Sequence, residues 1–462
     1  MRYLFFVPCK VAKLSYRLKD SLKIKLSPVK LLMMSLCFLS PFSLAYSDNK
    51  SQQNKEVVLN TLTLASAIKK TLNDNPSLKV FEFRQRAIEG QLQSQHLKPA
   101  YEIGFEMENF AGTGSIGTFE NTEFTVSLSS VVEMGNKRSA RVGVSHSRNS
   151  QLIAMRKIKA LNLLSEVARR YIDVLAAQAR LSLAKEATAL AEETLSEVEK
   201  RAKAGVAPEA EIKRALAALG NARLVTSSEQ QQFDYAKVFL AMMWKETTAE
   251  FESVEGNLFQ FSKDVAFEKL YTKVKQNPEI LVYAAQERLR DAQLRLAQTE
   301  SSADIKWSVG IKQIQALNDT ALTAGFTMPL YSSQRNTGAI ISAQAARDEV
   351  NYKREEKLLA LHHQLYRAYS NRKQAIFTAL NLKNSIIPTL TEALKETQIA
   401  YQRGRYSYLD YLSARQELLF ARRAIIESAT AALRYGIEIE QLIAEPLPAS
   451  QHNFTSQLND QF

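Results

Sequence analysis

Cysteine is almost absent from this chain of 462 residues. The two cysteines, Cys9 and Cys37, lie within the first 45 residues, where the sequence has the pattern of a removable leader. Without that leader the chain has no disulfide, no thiolate metal ligand and no cysteine nucleophile. Leu36 stands directly before Cys37. A bulky residue there is unfavourable for lipoprotein processing, so a lipid anchor is not expected.

Long apolar runs are missing after residue 45, and none reaches the roughly 20 residues that a membrane-spanning helix requires. The chain also lacks a Walker loop, a Rossmann glycine pattern, a zincin helix and a Gly-x-Ser-x-Gly elbow. Its acidic residues are scattered along predicted helices rather than paired in loops. We therefore expect neither an enzyme nor a bound cofactor.

Histidine is sparse. The adjacent pair His362 and His363 would project about 100° apart on a helix, whereas metal-chelating pairs use a spacing of four residues. We interpret these two residues as part of a solvated helix and expect no metal site. The complete set is His96, His146, His362, His363 and His452.

The first 45 residues have the features of an export signal. Eight basic residues precede an apolar run from Leu31 to Leu39, which is followed by the small residues Ser43 and Ala45. A membrane anchor is the alternative, but the run is far shorter than the roughly 20 residues of a spanning helix. We expect cleavage to leave Tyr46 near the mature N-terminus.

Removal of this signal lowers the net charge from +12 to +12 − 7 = +5, because eight basic residues and Asp20 leave with it. The remaining lysines and arginines alternate with glutamate along predicted helices, as on a solvated face. Nucleic-acid binding requires a clustered basic surface with aromatic or motif support. Nucleic acid is therefore not an expected partner.

The rest of the chain consists of two copies of one internal repeat. Five landmarks recur at a nearly constant spacing: Asn75-Pro76 as Asn277-Pro278 (278 − 76 = 202), Arg138 as Arg335 (335 − 138 = 197), Gly205 as Gly404 (404 − 205 = 199), Glu211 as Asp410 (410 − 211 = 199) and Ala215 as Ala414 (414 − 215 = 199).

This duplication predicts the domain organisation. Each repeat should contain a helix, a strand hairpin, one very long helix that ends at a tip, and a return helix. We predict a signal at 1–45, an extension at 46–61, a first repeat at 62–250 with its hairpin at 101–132 and tip at 204, a linker at 251–265, a second repeat at 266–444 with its hairpin at 303–330 and tip at 403, and a tail at 445–462.

The long helices follow from apolar residues that step by three and four. Between about Arg138 and Ala204 the sequence has no proline and no glycine except Gly143, and about 65 residues make a rod of roughly 100 Å. A second rod is predicted from about Gly338 to Arg403. Such rods need neighbours that cover their apolar seams. The seams are Leu161, Leu164, Ala168, Tyr171 and Leu175 in the first rod, and Leu358, Leu361, Leu365 and Ala368 in the second.

The predicted strands alternate strictly between apolar and polar residues, over about the length of a tilted bilayer-spanning strand. A soluble hairpin with one face on a core is the alternative for a single such unit. Two hairpins that each lead into a rod behind an export signal favour a membrane location. The open edges of four strands would be unsatisfied in lipid, so the strands must be shared among subunits. The apolar positions are Tyr101, Ile103, Phe105 and Met107; Phe124, Val126 and Leu128; Ile305, Trp307, Val309 and Ile311; and Leu322, Ala324, Phe326 and Met328.

These features together resemble the TolC-type outer-membrane factors, over roughly Leu62 to Ala444. The likeness rests on the duplicated order of elements, the run Leu62 to Ile68 before Asn75-Pro76, the Gly-x5-Glu/Asp-x3-Ala turns at Gly205 and Gly404, and Met328-Pro329-Leu330 after a strand.

The resemblance implies a mainly α fold with a small β part, assembled as a homotrimer. Its four strands per subunit would form a 12-stranded β-barrel in the lipid of the outer membrane, continued by a long α-helical coiled-coil barrel in the periplasm. The implied partners are a periplasmic adaptor (membrane fusion) protein and an inner-membrane pump of the resistance-nodulation-division (RND) type.

The segment from Val132 to Arg138 further resembles the branch of this family that serves heavy-metal exporters related to CzcC. It departs from that branch at Asn136, where a second glycine is usual. The resemblance favours metal cations as the exported substrate. The alternatives are drugs or organic solutes, type I protein secretion, and, in another class, a structural periplasmic coiled-coil scaffold, which does not account for the strands.

The resemblance also implies roles for the turns that end the rods. The tips Gly205, Val206, Ala207 and Gly404 would contact the adaptor. Glycine suits the left-handed position that closes a helix, and Pro208 suits the start of the next one.

A further implication concerns the narrowest point of the channel, which Asp410 and the matching Glu211 would line. Ser407 and Asp410 also have the spacing of a capping box. Tyr401 matches a family tyrosine, but Tyr406 replaces the family's arginine, and Arg405 lies one place earlier. In the family this arginine belongs to a charged latch that would keep the resting channel shut. We expect stacking or hydroxyl hydrogen bonds of Tyr401 and Tyr406 to take its place.

Overall fold

A computed structural model describes residues 61–114 and 119–448. The fold is mainly helical with a small sheet, as predicted. The export signal, most of the N-terminal extension and His452 lie outside the described residues. The first repeat comprises β1 (Thr61–Leu62), α1 (Leu64–Asp74), α2 (Pro76–His96), β2 (Glu102–Glu108), β3 (Glu123–Val132), α3 (Lys137–Lys203) and α4 (Glu209–Ala241).

The second repeat has the same order of elements. It comprises β4 (Ser253–Val254), α5 (Phe267–Val274), α6 (Pro278–Glu300), β5 (Ile305–Ile314), β6 (Asp319–Thr327), α7 (Ser332–Arg335), α8 (Thr337–Asn381), α9 (Ile387–Gln402) and α10 (Tyr408–Ile443).

The duplication extends to tertiary contacts, as two buried asparagines show. Asn75 caps α2 and donates from Nδ2 to the carbonyl oxygen of Met243 over 2.7 Å. Asn277 caps α6 and donates in the same way to Leu442 over 2.8 Å. Because the two acceptors are 442 − 243 = 199 residues apart, each return helix is held to the start of its own repeat by an equivalent contact.

The first rod is a single helix, α3, of 67 residues, which corresponds to roughly 100 Å. Its apolar seam is buried, with Leu164, Val167 and Val174 between 0 and 2% exposed. A buried leucine or valine contributes about 1.5–3 kcal/mol relative to an exposed one. The packing of this seam against α4 and α10 therefore stabilises the rod, which propensity alone would not.

The second rod is not the continuous helix that the sequence predicts. A π-helical turn at Leu382–Ile386 separates α8 from α9. Pro388 lies two residues after the end of this turn and has no N–H to donate to the carbonyl of Asn384 four residues earlier. The wider π turn accommodates this missing hydrogen bond within an otherwise helical path.

The four strands form one antiparallel sheet in the order β2-β3-β5-β6. The pairing of β3 with β5 joins the two repeats, for example at Val126 opposite Ile311. Strands β2 and β6 are the two outer strands. Large apolar side chains on one face are exposed, with Ile103 at 81% and Leu322 at 83%.

Among the helices of the described residues, none combines the length and the apolar character needed to cross a bilayer.

The adjacent histidines do not share one environment. His363 is exposed, but His362 is half-buried with its ring 5.4 Å from that of Phe267 and 4.7 Å from that of Tyr271, both edge-on. The interpretation of His362 as a solvated residue was therefore wrong. Helix α5 supplies these two aromatic rings, and no local pattern around His362 indicates this contact.

Candidate functional site

The turns that end the two rods have the same backbone geometry. Gly205 and Gly404 have φ of 76° and 72°, a left-handed conformation that glycine adopts without strain. After α3, Gly205 N–H donates to Ala202 over 2.9 Å and Val206 N–H donates to Arg201 over 2.9 Å. This pair of bonds is a Schellman motif, which satisfies the last carbonyl groups of a helix.

The second turn repeats this arrangement after α9. Gly404 N–H donates to Tyr401 and Arg405 N–H donates to Ala400, each over 2.9 Å. A Cβ atom at Gly205 or Gly404 would meet no atom within 4 Å. The turns are thus exposed, and backbone conformation rather than packing fixes the need for glycine.

Three buried tyrosines hold the helices together behind these turns. The Tyr401 ring stacks on the Tyr411 ring with centroids 5.6 Å apart, and lies 6.1 Å from the Tyr408 ring. All three side chains are at most 3% exposed and pack with Val198 and Ala215 from the first repeat. This tyrosine cluster contains side chains from all four helices that meet at the tips.

The two tip hairpins, α3–α4 and α9–α10, are also joined by polar bonds. Tyr401 Oη donates to Glu211 Oε2 over 3.0 Å. Arg201 Nη1 donates to the carbonyl oxygen of Gln402 over 2.9 Å, with its guanidinium carbon 4.5 Å from the centre of the Tyr401 ring. Gln402 Nε2 donates to Glu197 Oε1 over 2.8 Å. We call these contacts the tip latch.

Burial and then the hydrogen bond to Glu211 raise the pKa of the Tyr401 hydroxyl well above its ordinary value. The hydroxyl therefore stays protonated at neutral pH and acts as the donor in the latch. A hydrogen bond to a charged acceptor contributes about 1.5–3 kcal/mol, more than a neutral one. The Gln402–Glu197 and Arg201–Gln402 bonds of the latch also involve a charged group, but both are exposed, whereas the Tyr401–Glu211 bond is partly buried and therefore less screened by water.

Asp410 lies in the first turn of α10 and forms a capping box with Ser407. Ser407 N–H donates to Asp410 Oδ2 over 3.0 Å, and Asp410 N–H donates to Ser407 Oγ over 3.3 Å. Hydrogen bonds from the Ser407 hydroxyl and N–H lower the pKa of the exposed Asp410 carboxyl. The group is ionised at neutral pH and complements the N-terminal end of the helix dipole.

The structure brings Tyr401 and Glu211 together, but it leaves Tyr406 outside the latch. The Tyr406 side chain is 54% exposed and takes no part in the tyrosine cluster. Tyr408 and Tyr411 occupy the stacking positions instead. Within one chain Tyr406 therefore lies outside the stacked rings, and the expectation that it helps to replace the missing arginine stays a prediction. Arg405 and Val206 are exposed, and Ala207 is half-buried.

Arg415 is a tip residue that sequence reasoning missed. Its side chain is 5% exposed and donates to Thr194 Oγ1 over 3.3 Å and to the carbonyl oxygen of Ala187 over 2.8 Å. Burial lowers the pKa of its guanidinium. Its acceptors are more than 200 residues away in the chain, so no local pattern points to them.

The sequence does contain an indication of Tyr408 and Tyr411, because their spacing of three residues places both side chains on one face of the return helix.

Within residues 61–114 and 119–448, no group of three or more histidine, cysteine, aspartate or glutamate side chains is placed to hold a metal ion.

Comparison with known proteins agrees with this architecture. The family model described as outer membrane efflux protein matches residues 67–244 and 270–445, one segment in each repeat. The cobalt-zinc-cadmium resistance protein CzcC of Cupriavidus metallidurans is 24% identical over 394 residues, which cover 84% of this chain and 92% of that protein.

Solved structures show the same fold. A membrane protein from Pseudomonas aeruginosa has a TM-score of 0.70 at 16% identity, covering 85% of this chain and 92% of its own. CusC, described in connection with transmembrane channel formation, has a TM-score of 0.68 at 15% identity, covering 85% of this chain and 95% of its own.

Proposed function

Because the chain belongs to the outer membrane efflux protein family, matched in both of its repeats, we propose that it is the outer-membrane exit duct of a tripartite efflux system that exports heavy-metal cations. A periplasmic adaptor protein and an inner-membrane RND pump would complete the system. The duct conducts solutes and performs no reaction, so its function depends on how the sheet closes and how the tips open.

The observation that carries this proposal is the amphipathic sheet with two unpaired edges. Within the part of the chain that the structure describes, the outer strands β2 and β6 each pair with one neighbouring strand only, and the backbone groups on their other side need partners in lipid. A homotrimer would pair β6 of each copy with β2 of the next and produce one closed sheet of twelve strands. The exposed apolar face would then contact outer-membrane lipid, and the polar face would line the passage.

The charge of the polar face supports a cationic substrate. Directly paired residues share a face, so the register places acidic residues of three strands on the side that carries Thr125 and Ser127. Rings of carboxylates favour cations in channels. The acidic residues on this face are Glu102, Glu106, Glu108, Glu123 and Asp319, against the lysines Lys306 and Lys312.

The similarity to a cobalt-zinc-cadmium resistance protein over most of both chains favours divalent metals among the cations. A duct for drugs or organic solutes is the second candidate. It draws on the same fold and differs only in the pump that supplies the substrate.

Deletion of the gene should sensitise the host strain to cobalt, zinc or cadmium. Growth would be followed over a concentration series of each metal, with a plasmid copy of the unsubstituted chain as the control that restores resistance. Sensitivity to organic dyes and detergents with unchanged metal tolerance would favour the second candidate and contradict metal export.

For the tips we propose that Asp410 from three subunits surrounds the narrowest part of the channel, with Glu211 nearby. Asp410 is exposed in the first turn of α10, and the three-fold axis would repeat its charge around the passage. Its hydrogen bonds to Ser407 do not use all of its acceptor sites, since a carboxylate has about four. Capping and cation attraction are thus compatible roles.

Replacing Asp410 with asparagine or alanine should lower the cation preference of the channel in planar bilayers by several-fold. The effect should shrink in 1 M salt, where the Debye length falls to about 3 Å. Because hydrogen bonds lower the Asp410 pKa, the unsubstituted channel should keep most of its preference at pH 4, where a carboxyl with the ordinary pKa of about 3.9 is close to half protonated.

Asp410→Asn separates the two roles, since the amide oxygen can still accept the Ser407 bonds while the charge is lost. The capping contribution of the carboxylate is present above its unfolded pKa and is lost as the pH falls through its lowered folded pKa. Unchanged ion selectivity in both variants, with reduced thermal stability in Asp410→Ala alone, would leave capping as the whole role.

A further inference from the structure

A groove lies between α4 and α10, and α3 packs against both of these helices. Its volume is about 750 Å³, and side chains from all three helices line it. Pockets that bind small organic molecules have volumes of about 300–1,000 Å³. This α4–α10 groove therefore has the size of a ligand site, and its walls are formed within one chain.

Much of the groove lining is apolar, and part of it is exposed. On α10 the side chains of Leu409 and Phe420 are 52% and 76% exposed, and on α4 that of Val225 is 46% exposed. A ligand with an apolar body would remove this surface from water, which is favourable. The larger apolar side chains that line the groove are Leu183, Val225, Leu409, Leu412, Leu419 and Phe420.

The charge of the groove lining is strongly positive. Of the described residues that line it, four are arginines and one is a glutamate, which gives a formal charge of 4 − 1 = +3. Glu229 accepts hydrogen bonds from Arg180 Nε over 3.2 Å and from Arg423 Nη2 over 3.3 Å. The one carboxylate is thus already shared between two guanidinium groups. The other two arginines, Arg214 and Arg415, have no acidic partner within the lining.

Arg415 is buried without an opposite charge. Its side chain is 5% exposed, and its two acceptors, Thr194 Oγ1 and the carbonyl oxygen of Ala187, are both neutral. No acidic side chain of the described residues is among the groups that act on its charge. Arginines this deeply buried are normally paired with an anion. A guanidinium also has five N–H donors, more than these two bonds use.

Arg214 lies near the same end of the groove as Arg415. Burial raises the pKa of the Tyr408 hydroxyl, and the charges of Arg415 and Arg214 oppose that rise. Both guanidinium groups are therefore within electrostatic range of one hydroxyl, one from α10 and the other from α4. Guanidinium groups bind carboxylate and phosphate groups through paired hydrogen bonds. This end of the groove is chemically suited to an anionic group.

We propose that the α4–α10 groove binds a small amphipathic organic anion. Its carboxylate, sulfonate or phosphate group would pair with Arg415 and Arg214, and its apolar body would cover Leu409 and Phe420. The site is distinct from the cation passage proposed above, and it does not depend on the trimer because one chain supplies all of its walls.

Naphthoate and naphthamide would test this site, because the two probes share an apolar ring system and differ in charge. Their binding to the purified full-length protein in nonionic detergent would be measured by calorimetry at neutral pH, after subtraction of the same titration into detergent alone. The unsubstituted protein should bind naphthoate at least tenfold more tightly than naphthamide.

Arg415→Met should lower the affinity for naphthoate at least tenfold and leave that for naphthamide unchanged. Thr194 Oγ1 still donates to the carbonyl oxygen of Leu190 over 2.7 Å in this variant, so the substitution leaves no unpaired hydroxyl. Arg415→Lys keeps the charge and should retain part of the preference for naphthoate. Phe420→Ala should weaken both probes by several-fold, because it removes apolar surface and no charge.

Arg434→Met is the positional control, since Arg434 lies 19 residues, or roughly 30 Å, along α10 from Arg415 and does not line the groove. It should leave the binding of both probes unchanged. If Arg415→Met does not assemble, Arg214→Gln takes its place, because Arg214 is exposed and its loss should weaken naphthoate alone by several-fold.

Equal affinity of the unsubstituted protein for the two probes, or no binding of either, would overturn the proposal. Unchanged naphthoate affinity in Arg214→Gln and in an assembled Arg415→Met would overturn it as well, since the anion would then bind elsewhere. A monomeric native mass of the unsubstituted protein would refute the proposed duct and leave this test of the groove intact.

Discussion

Glutamate in place of Gly205 or Gly404 is expected to abolish export while the trimer still assembles. Each glycine holds a left-handed conformation at the exposed end of a tip, where a residue with a side chain is strained by about 1–2 kcal/mol. No atom lies within 4 Å of an added Cβ, so the strain stays local to the turn. The added carboxylate would stand where the family resemblance implies contact with the adaptor.

Resistance of the complemented deletion strain and native mass in detergent would be measured together. Gly205→Asn and Gly404→Asn are the matched controls, because asparagine tolerates the left-handed conformation and adds no charge. Gly220→Glu is the positional control, since Gly220 lies within α4 away from the turn and is also free of neighbours. Normal export from both glutamate variants would refute a docking role for the tips.

Tyr401→Phe is expected to raise single-channel conductance by loosening the tip latch. The change removes only the hydroxyl that donates to Glu211 and keeps the ring that stacks on Tyr411. The loss of about 1.5–3 kcal/mol corresponds to a shift of roughly one to two factors of ten in an equilibrium between closed and open tips. In the proposed trimer three subunits would carry the same bond, so the effect would be repeated around the axis.

Tyr406→Ala is the matched control for this result, since Tyr406 is exposed and lies outside the tyrosine cluster. Its conductance should equal that of the unsubstituted channel, and the double variant should behave like Tyr401→Phe alone. Glu211→Gln should have a smaller effect, because the amide oxygen still accepts a neutral hydrogen bond. If Tyr401→Phe lowers the melting temperature but leaves the conductance unchanged, the bond stabilises the fold and does not keep the tips closed.

Several features of the fold could be predicted because their causes are local. The step of three and four residues from Leu161 to Leu175 indicates one amphipathic helix without reference to the rest of the chain. The strict alternation in Ile103 to Met107 likewise determines which side chains share a face of a strand. Glycines at 205 and 404 mark helix ends because glycine adopts the left-handed position more readily than residues with a side chain.

The surroundings of Tyr406 and His362 within one chain were not predicted, and the two cases have a common cause. Tyr406 occupies the position of a functional residue in the family, but its neighbours Tyr408 and Tyr411 face the buried side of α10. His362 meets rings that α5 supplies from about 90 residues earlier in the chain. Family position and local periodicity describe a residue's own helix, whereas burial depends on the helix that packs against it.

The sequence by itself determined the duplication, the order and type of the elements, the two turns and the capping box at Ser407 and Asp410. Only the tertiary structure decided which helices adjoin, and with them the tip latch and the buried Arg415. The physical reason is one of range. Periodicity, caps and turns are set by residues a few positions apart, whereas the packing of rods of roughly 100 Å depends on contacts between residues some 200 positions apart, which no local pattern specifies.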